Sequence, residues 1–377
     1  VVSALWCCKG QVAVWEPGDP LPGLSPNELE RFYRGQELFH REFTAQEGLG
    51  PLFNQSRCSS CHDLPVLGGT GVESVLKATQ WISPDSCDRL ETWGGEVFQD
   101  RATPLLQARG VMREVPPSSA TAIRVLPPSL LGLGLAEAIP DSTLRALADP
   151  QDRDGDGISG RLGLAPSGNI GRFGVKANHA TLRDFISSAL LVEMGLTTSL
   201  HPLEERPSGR ELPAATDPAP DPEISDEELA LLVDFVRFLA PPPRRKLESR
   251  VEEDSVRRGQ KIFELAGCHK CHVPELRTAR TPPGPLSGRS VAFYSDFLLH
   301  DLGLEPGLCS PGSPPSEVRT ARLAGLRFRA SYLHDGRATS LEEAIALHGG
   351  EARSARDFAA KLSPGERRLL LKFLESL

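Results

Sequence analysis

The sequence predicts a mainly α, loop-rich protein made of two modules related by internal duplication. Three observations carry this. Serine-led capping boxes open several amphipathic helices, strand signals are few and short, and one hexamer recurs in front of two identical cysteine motifs. The 377 residues include 33 prolines and 35 glycines but only 6% aromatics. Such a chain forms many loops around short helices, an economy that suits a core filled by a bound group.

The elements follow in order. Residues 1–24 read as a tail. Val1 is not a start methionine, and Val1–Cys8 resembles the end of a removed signal segment. A lipid anchor on Cys7 or Cys8 is the alternative, although Trp6 suits a lipobox poorly. Ser25-Pro26-Asn27-Glu28 caps a helix over 26–40, and Leu182, Phe185, Ile186, Ala189 and Leu190 mark another over 181–194. Ser225 and Glu228 start a helix over 226–239, which Pro241-Pro242-Pro243 stops. Ser340 with Glu343 and Ser363 with Glu366 begin helices over 341–348 and 364–376. Domain boundaries are placed accordingly: a first module over 25–200, a connecting segment with one helix over 201–250, and a second module over 251–377.

Composition excludes some functions. No apolar run approaches the roughly 18 residues of a membrane span. The net charge of −8 leaves no basic stripe for a nucleic-acid backbone.

Chemistry enters with the cysteines. Cys58-Ser-Ser-Cys61-His62 and Cys268-His-Lys-Cys271-His272 are both C-x-x-C-H, the attachment signature of c-type haem. Two thiols add across the two vinyl groups, and the adjacent imidazole becomes the proximal iron ligand. A structural zinc site needs four ligands, and no second thiolate pair sits near either motif. A redox dithiol would need a βαβ setting. Arg34-Gly-Gln-Glu-Leu-Phe39 precedes the first motif and Arg258-Gly-Gln-Lys-Ile-Phe263 the second. The two segments are therefore read as related haem modules, the first carrying an inserted loop between its helix and its haem motif. An oxidising compartment permits a disulfide between Cys87 and Cys309.

The sixth iron position separates electron transfer from catalysis. Its candidates are His40, His179, His201, His269, His300, His334, His348, Met112 and Met194. His348 leads, because it extends the apolar stripe Leu341, Ala344, Ile345 and Gly349-Gly350 follows it. Met194 is the candidate for the first haem, although a core methionine is the plainer reading. Arg319 and Arg337 suit haem propionates. Asp152, Asp154, Asp156 and the Ile158 carbonyl match the first half of a calcium loop, with Gly163 where a full loop needs glutamate.

The chain resembles the bacterial di-haem oxidoreductase family, distantly similar to di-haem cytochrome c peroxidases and MauG-type enzymes. The resemblance rests on Gly48–Asn54, Gly132–Pro140, the 152–160 loop, Gly171–Lys176, Leu333–Ala338 and His348–Ala352. It implies two cytochrome c-like domains, one reactive haem and one electron-transferring haem. It also places His348 where peroxidases carry the distal methionine of the C-terminal haem. The functional expectation is a periplasmic, peroxidase-like oxidoreductase with haem 1 reactive, served by a redox partner such as a small cytochrome or cupredoxin. Asn54, Gln55 and Glu193 are its candidate helpers. The alternatives are a non-catalytic electron-transfer protein and a MauG-like enzyme that oxidises a partner protein through a surface tryptophan such as Trp93.

Overall fold

The computed structural model describes residues 15–83, 86–282 and 284–377. The signal-remnant and lipid-anchor readings, which fall on Val1–Cys8, lie outside them. Six helices position the sites: α1 (Pro26–His40), α2 (Leu182–Met194), α3 (Asp226–Phe238), α4 (Arg250–Leu265), α5 (Leu341–Ala346) and α6 (Pro364–Leu374). Three of the four capping boxes form; at Ser340 the serine caps the helix but Glu343 accepts from Thr339 instead. At α1, α3 and α6 the serine side chain accepts from the third helical N–H while the glutamate reaches back.

Two helix pairs repeat one design. α1 packs on α3 through Phe32 and Phe39, whose rings lie 5.2 and 4.9 Å from Phe235. α4 packs on α6 through Phe263, 5.2 Å from Phe373. At each crossing a glycine removes the side chain that would block it. A methyl group at Gly35 would strike the Leu231 carbonyl and Phe235, and one at Gly259 would strike the Leu369 carbonyl and Phe373. The helix read inside the 201–250 segment thus belongs physically to the first core, where Leu229, Leu232 and Phe235 are buried with Phe32 and Phe39.

The architecture is mixed rather than mainly α. Strand β1 (Val75–Ser83) pairs antiparallel with β2 (Ser86–Asp88), β3 (Val97–Phe98) and β4 (Thr121–Val125). The register sets Trp81 opposite Cys87, Leu76 opposite Phe98, and Ala78 opposite Ala122. Ala78 and Phe98 close a small core with Leu90. This sheet follows the first haem motif, whereas the insertion read between the first helix and Cys58 holds a short turn at Ala45–Glu47 and the two-residue strand Leu52–Phe53. Cys87 is disulfide-bonded to Cys309, which ties that sheet to the second half of the chain.

Candidate haem sites

Both cysteine motifs sit on single turns after their helices. The Cys61 N–H bonds the Cys58 carbonyl (3.2 Å), and the His272 N–H bonds the Cys268 carbonyl (3.0 Å). They open on one continuous cavity of about 770 Å³, lined by Cys58, Cys61, His62, Cys268, Cys271 and His272 together. Its size falls in the range of cofactor sites.

The two histidines are prepared alike. The His62 Nδ1–H donates to the Gly69 carbonyl (3.1 Å), and the His272 Nδ1–H donates to the Tyr294 carbonyl (3.0 Å). Each bond fixes the tautomer and leaves Nε2 with its lone pair, as a metal-binding imidazole requires. Burial pushes both rings down to about 4, so they are neutral at ordinary pH. Phe39 and Phe263 brace them at 6.2 and 6.5 Å between ring centroids. All four motif cysteines are unpaired. Burial pushes the thiols of Cys58 and Cys61 up to about 12 and that of Cys268 to about 11. A reactive dithiol needs an accessible thiolate, and burial keeps these thiols protonated.

The cavity also carries an unbalanced positive wall. Arg319, Arg322 and Arg329 line it. Among the described residues Arg319 bonds only the Gly174 and Thr320 carbonyls, and Arg322 only the Leu131 and Ser129 carbonyls. The Arg329 guanidinium makes no hydrogen bond among the described residues. Burial, aided by their mutual repulsion, lowers Arg319 to about 10 and Arg322 to about 9. Arg172 also lines the cavity, but it already pairs with Asp141 and bonds the Glu137 carbonyl, leaving only its Nε unpartnered. Desolvated guanidiniums call for an anion, and haem carries two propionates. The residues present therefore fit the group: thiols for the vinyls, imidazoles for iron, arginines for the carboxylates. Of the two arginines expected to face propionates, Arg319 lies on the cavity, whereas Arg337 pairs with Asp335 (2.5 Å) and bonds the Glu305 and Pro306 carbonyls.

The candidates for the sixth position separate by their bonds. His348 lines the cavity with its centroid 6.5 Å from that of His272, and its Nδ1–H donates to the Ala344 carbonyl (2.7 Å). His300 has both nitrogens occupied, by Asp296 and Glu351 at 2.8 Å each. Burial opposes its charge, but the bonds to Asp296, Cys271 and Glu351 prevail and push it up to about 12. A doubly donating imidazolium cannot ligate. His40 and His201 lie off the cavity and bond Ser59 and Ser187, whereas His179 lines the cavity and, like His348, spends Nδ1, here on Asp184. Met112 is 58% exposed. The Met194 sulfur lies 3.9 Å from Cys58 Sγ. His334 faces the cavity with Nε2 unpartnered, and His269 has a buried, unpartnered Nδ1.

Glu193 and Asn54 form a unit that the sequence presented only as two candidate names. Asn54 Nδ2 donates to Glu193 Oε2 (2.8 Å), its backbone N–H donates to the Glu193 carbonyl (2.7 Å), and its side-chain Oδ1 accepts the Asp100 N–H (2.9 Å). Glu193 lines the cavity, and burial raises its carboxyl above the usual range. Gln55 lines the same wall. Trp93 is 36% exposed and lies beside Gly209, off the cavity.

The aspartates of the 152–158 loop converge, with one oxygen of each of Asp152, Asp154 and Asp156 within 4.8 Å of the others. Lys270, from the second haem motif, already gives Asp156 a cation at 2.9 Å. Backbone N–H groups of Asp156, Gly157 and Ile158 fill the rest of the loop.

Residues 122–377 match the family described as "Di-haem oxidoreductase, putative peroxidase". The chain belongs to this family. The matched range holds the second haem motif, while the first lies upstream of it. Methylamine utilization protein MauG of Methylorubrum extorquens is 33% identical over 169 residues, which is 39% of this chain and 43% of that protein. The match therefore spans less than half of that relative. Among solved structures, a MauG-like protein associated with microbial copper homeostasis is 18% identical, with 99% of this chain and 95% of that chain covered and a TM-score of 0.44. The diheme peroxidase BthA from Burkholderia thailandensis E264 is 14% identical, with 97% and 95% covered and a TM-score of 0.43. Likenesses this distant assign no residue. No helix among the described residues is long and apolar enough to cross a membrane.

Proposed function

We propose that this di-haem oxidoreductase is a periplasmic, peroxidase-like enzyme whose first centre reacts with hydrogen peroxide and whose second centre passes electrons to it. The observation that carries the reading is an asymmetry. His272 faces a second imidazole, His348, at 6.5 Å, whereas His62 has no such partner among the described residues. Each ring spends Nδ1 on a carbonyl and keeps Nε2, so the two would hold the iron of the second haem. His348 is thus read as the distal ligand of the second haem, which suits electron transfer. The Met194 sulfur sits beside Cys58, so the reading leaves the first centre open to substrate.

When bound, the haems supply the redox chemistry by which one peroxide, two electrons and two protons become two waters. The electrons come from a partner protein of the small cytochrome or cupredoxin class. The chain's own part is to hold and move protons. Glu193, raised by burial and fixed by Asn54, is the general acid and base of the first centre. Phe185, Ile186 and Ala189 of α2 line the same wall and keep it apolar. The Cys87–Cys309 disulfide supports an oxidising compartment.

Two variants test this in the holoprotein. His348→Ala should convert one low-spin signal to high-spin and leave the other unchanged. Glu193→Gln should slow peroxide turnover about 100-fold or more with both spin states intact. If both centres stay six-coordinate and low-spin in every redox state and ignore peroxide and cyanide, the protein is an electron carrier.

A further inference from the structure

A second acidic cluster lies outside the calcium-like loop, in a segment whose sequence gave no motif. Glu204, Asp217, Asp221 and Glu223 each bring one carboxylate oxygen within 4.8 Å of the others. Both oxygens of Glu204 and Oε1 of Glu223 are shut off from solvent and accept no hydrogen bond. Among the described residues, none of the four carboxylates pairs with a lysine, arginine or histidine. By contrast Glu96 pairs with Arg89 and Lys77, Glu137 with Arg237, and Asp296 with His300, while the buried Glu114 takes N–H groups from Ser208 and Gln99. Buried charge without a partner is expensive, and a carboxylate with both oxygens orphaned among three others is the costliest arrangement here.

The cluster is also held in place from outside. Glu223 Oε2 accepts the Thr197 N–H (2.8 Å) and hydroxyl (2.7 Å), and Asp217 Oδ1 accepts the Ala219 N–H (3.1 Å). These bonds fix two carboxylates while their other oxygens remain available. We propose that Glu204, Asp217, Asp221 and Glu223 bind one divalent cation of the calcium class. The donors are all hard oxygens, which disfavours zinc. Calcium takes such an all-carboxylate set in flexible geometry, whereas magnesium demands near-ideal octahedral placement and keeps several waters. Glu223 anchors Thr197, three residues beyond the end of α2, so the ion would join the 201–223 segment to the helix that walls the first haem site. This site stands independently of the peroxidase reading.

The competing state is a cluster that holds protons instead, since burial and its acidic neighbours push Glu204 up to about 9. Full-length holoprotein stripped with chelator and titrated with calcium chloride separates the two. Calorimetry should find a calcium ion that wild type binds and Glu204→Gln/Asp217→Asn does not, with a rise of a few degrees in melting temperature. Asp152→Asn/Asp154→Asn should keep both. Asp221→Asn, at an exposed position, should weaken binding tenfold or more without disturbing the fold. In chelator, Glu204→Gln/Asp217→Asn should melt no lower than wild type, because it relieves buried repulsion. Calcium binding that survives in this variant, equal effects of magnesium, or no calcium-dependent shift in wild type would each overturn the proposal.

Discussion

A single backbone hydrogen bond decides what each histidine can do. His62, His272 and His348 spend Nδ1 on a carbonyl and keep Nε2, whereas His300 spends both nitrogens on carboxylates and becomes a fixed cation. Burial acts in the same selective way on acids. Glu114 is 4% exposed and pushed up to about 7 by burial, despite N–H groups from Ser208 and Gln99. Glu205 is pushed to about 8 by burial, with Glu114 adding repulsion. A carboxyl raised in the folded state holds a proton that the unfolded chain has released. Its stabilisation is complete below the ordinary value of 4.5 and is lost as pH rises through 7 to 8. Melting temperatures between pH 5 and 9 should therefore fall with pH more steeply in wild type than in Glu114→Gln. Equal slopes would show that Glu114 titrates normally.

At the scale of elements, the repeated hexamer has a physical meaning that sequence alone could only count. Its glycine permits the α1–α3 and α4–α6 crossings, and its phenylalanine braces the proximal histidine. Gly35→Ala and Gly259→Ala should each cost about 1–3 kcal/mol by overpacking. Each should perturb the spectrum of its own haem first, measurable by denaturant unfolding alongside the Soret band. If either substitution is neutral, the crossing is looser than described. The helices were legible because serine–glutamate caps and 3.6-residue stripes are local signals. The sheet was not, because β1 takes partners from three separate segments, and Lys77 and Gln80 break its alternation. The haem motifs were legible to the residue, yet Arg322 and Arg329 were missed. They sit in loops with no periodicity, and only the cavity reveals that they share a wall. The 204–223 carboxylates were missed for a similar reason, since turns rather than a fixed spacing bring them together.

At the scale of the molecule, the two halves are interlocked rather than strung together. Residues Leu276, Val291, Phe293 and Phe297 of the second half are buried in the core of the first. Lys270 reaches Asp156, Arg161 pairs with Glu317, and Ser159 bonds Glu351 through its N–H (3.1 Å) and hydroxyl (2.8 Å). This interlocking is what lets both motifs face one cavity. The disulfide has a different task. Cys87 lies on β2, and the Cys309 N–H bonds Thr79 of the neighbouring β1 (2.9 Å), so the bridge clamps the sheet to a loop 222 residues away in sequence. Neither cysteine lines the haem cavity. A cross-link over so long a separation acts mainly on the unfolded chain, so Cys87→Ser/Cys309→Ser should lose about 2–4 kcal/mol of stability. The haem spectra and peroxide kinetics should stay at wild-type values, because the contacts that hold the cavity are noncovalent and lie elsewhere. A variant that keeps its stability would remove the bridge from the fold's energetics. One that loses its spectra while still folded would place the sheet within the reactive unit.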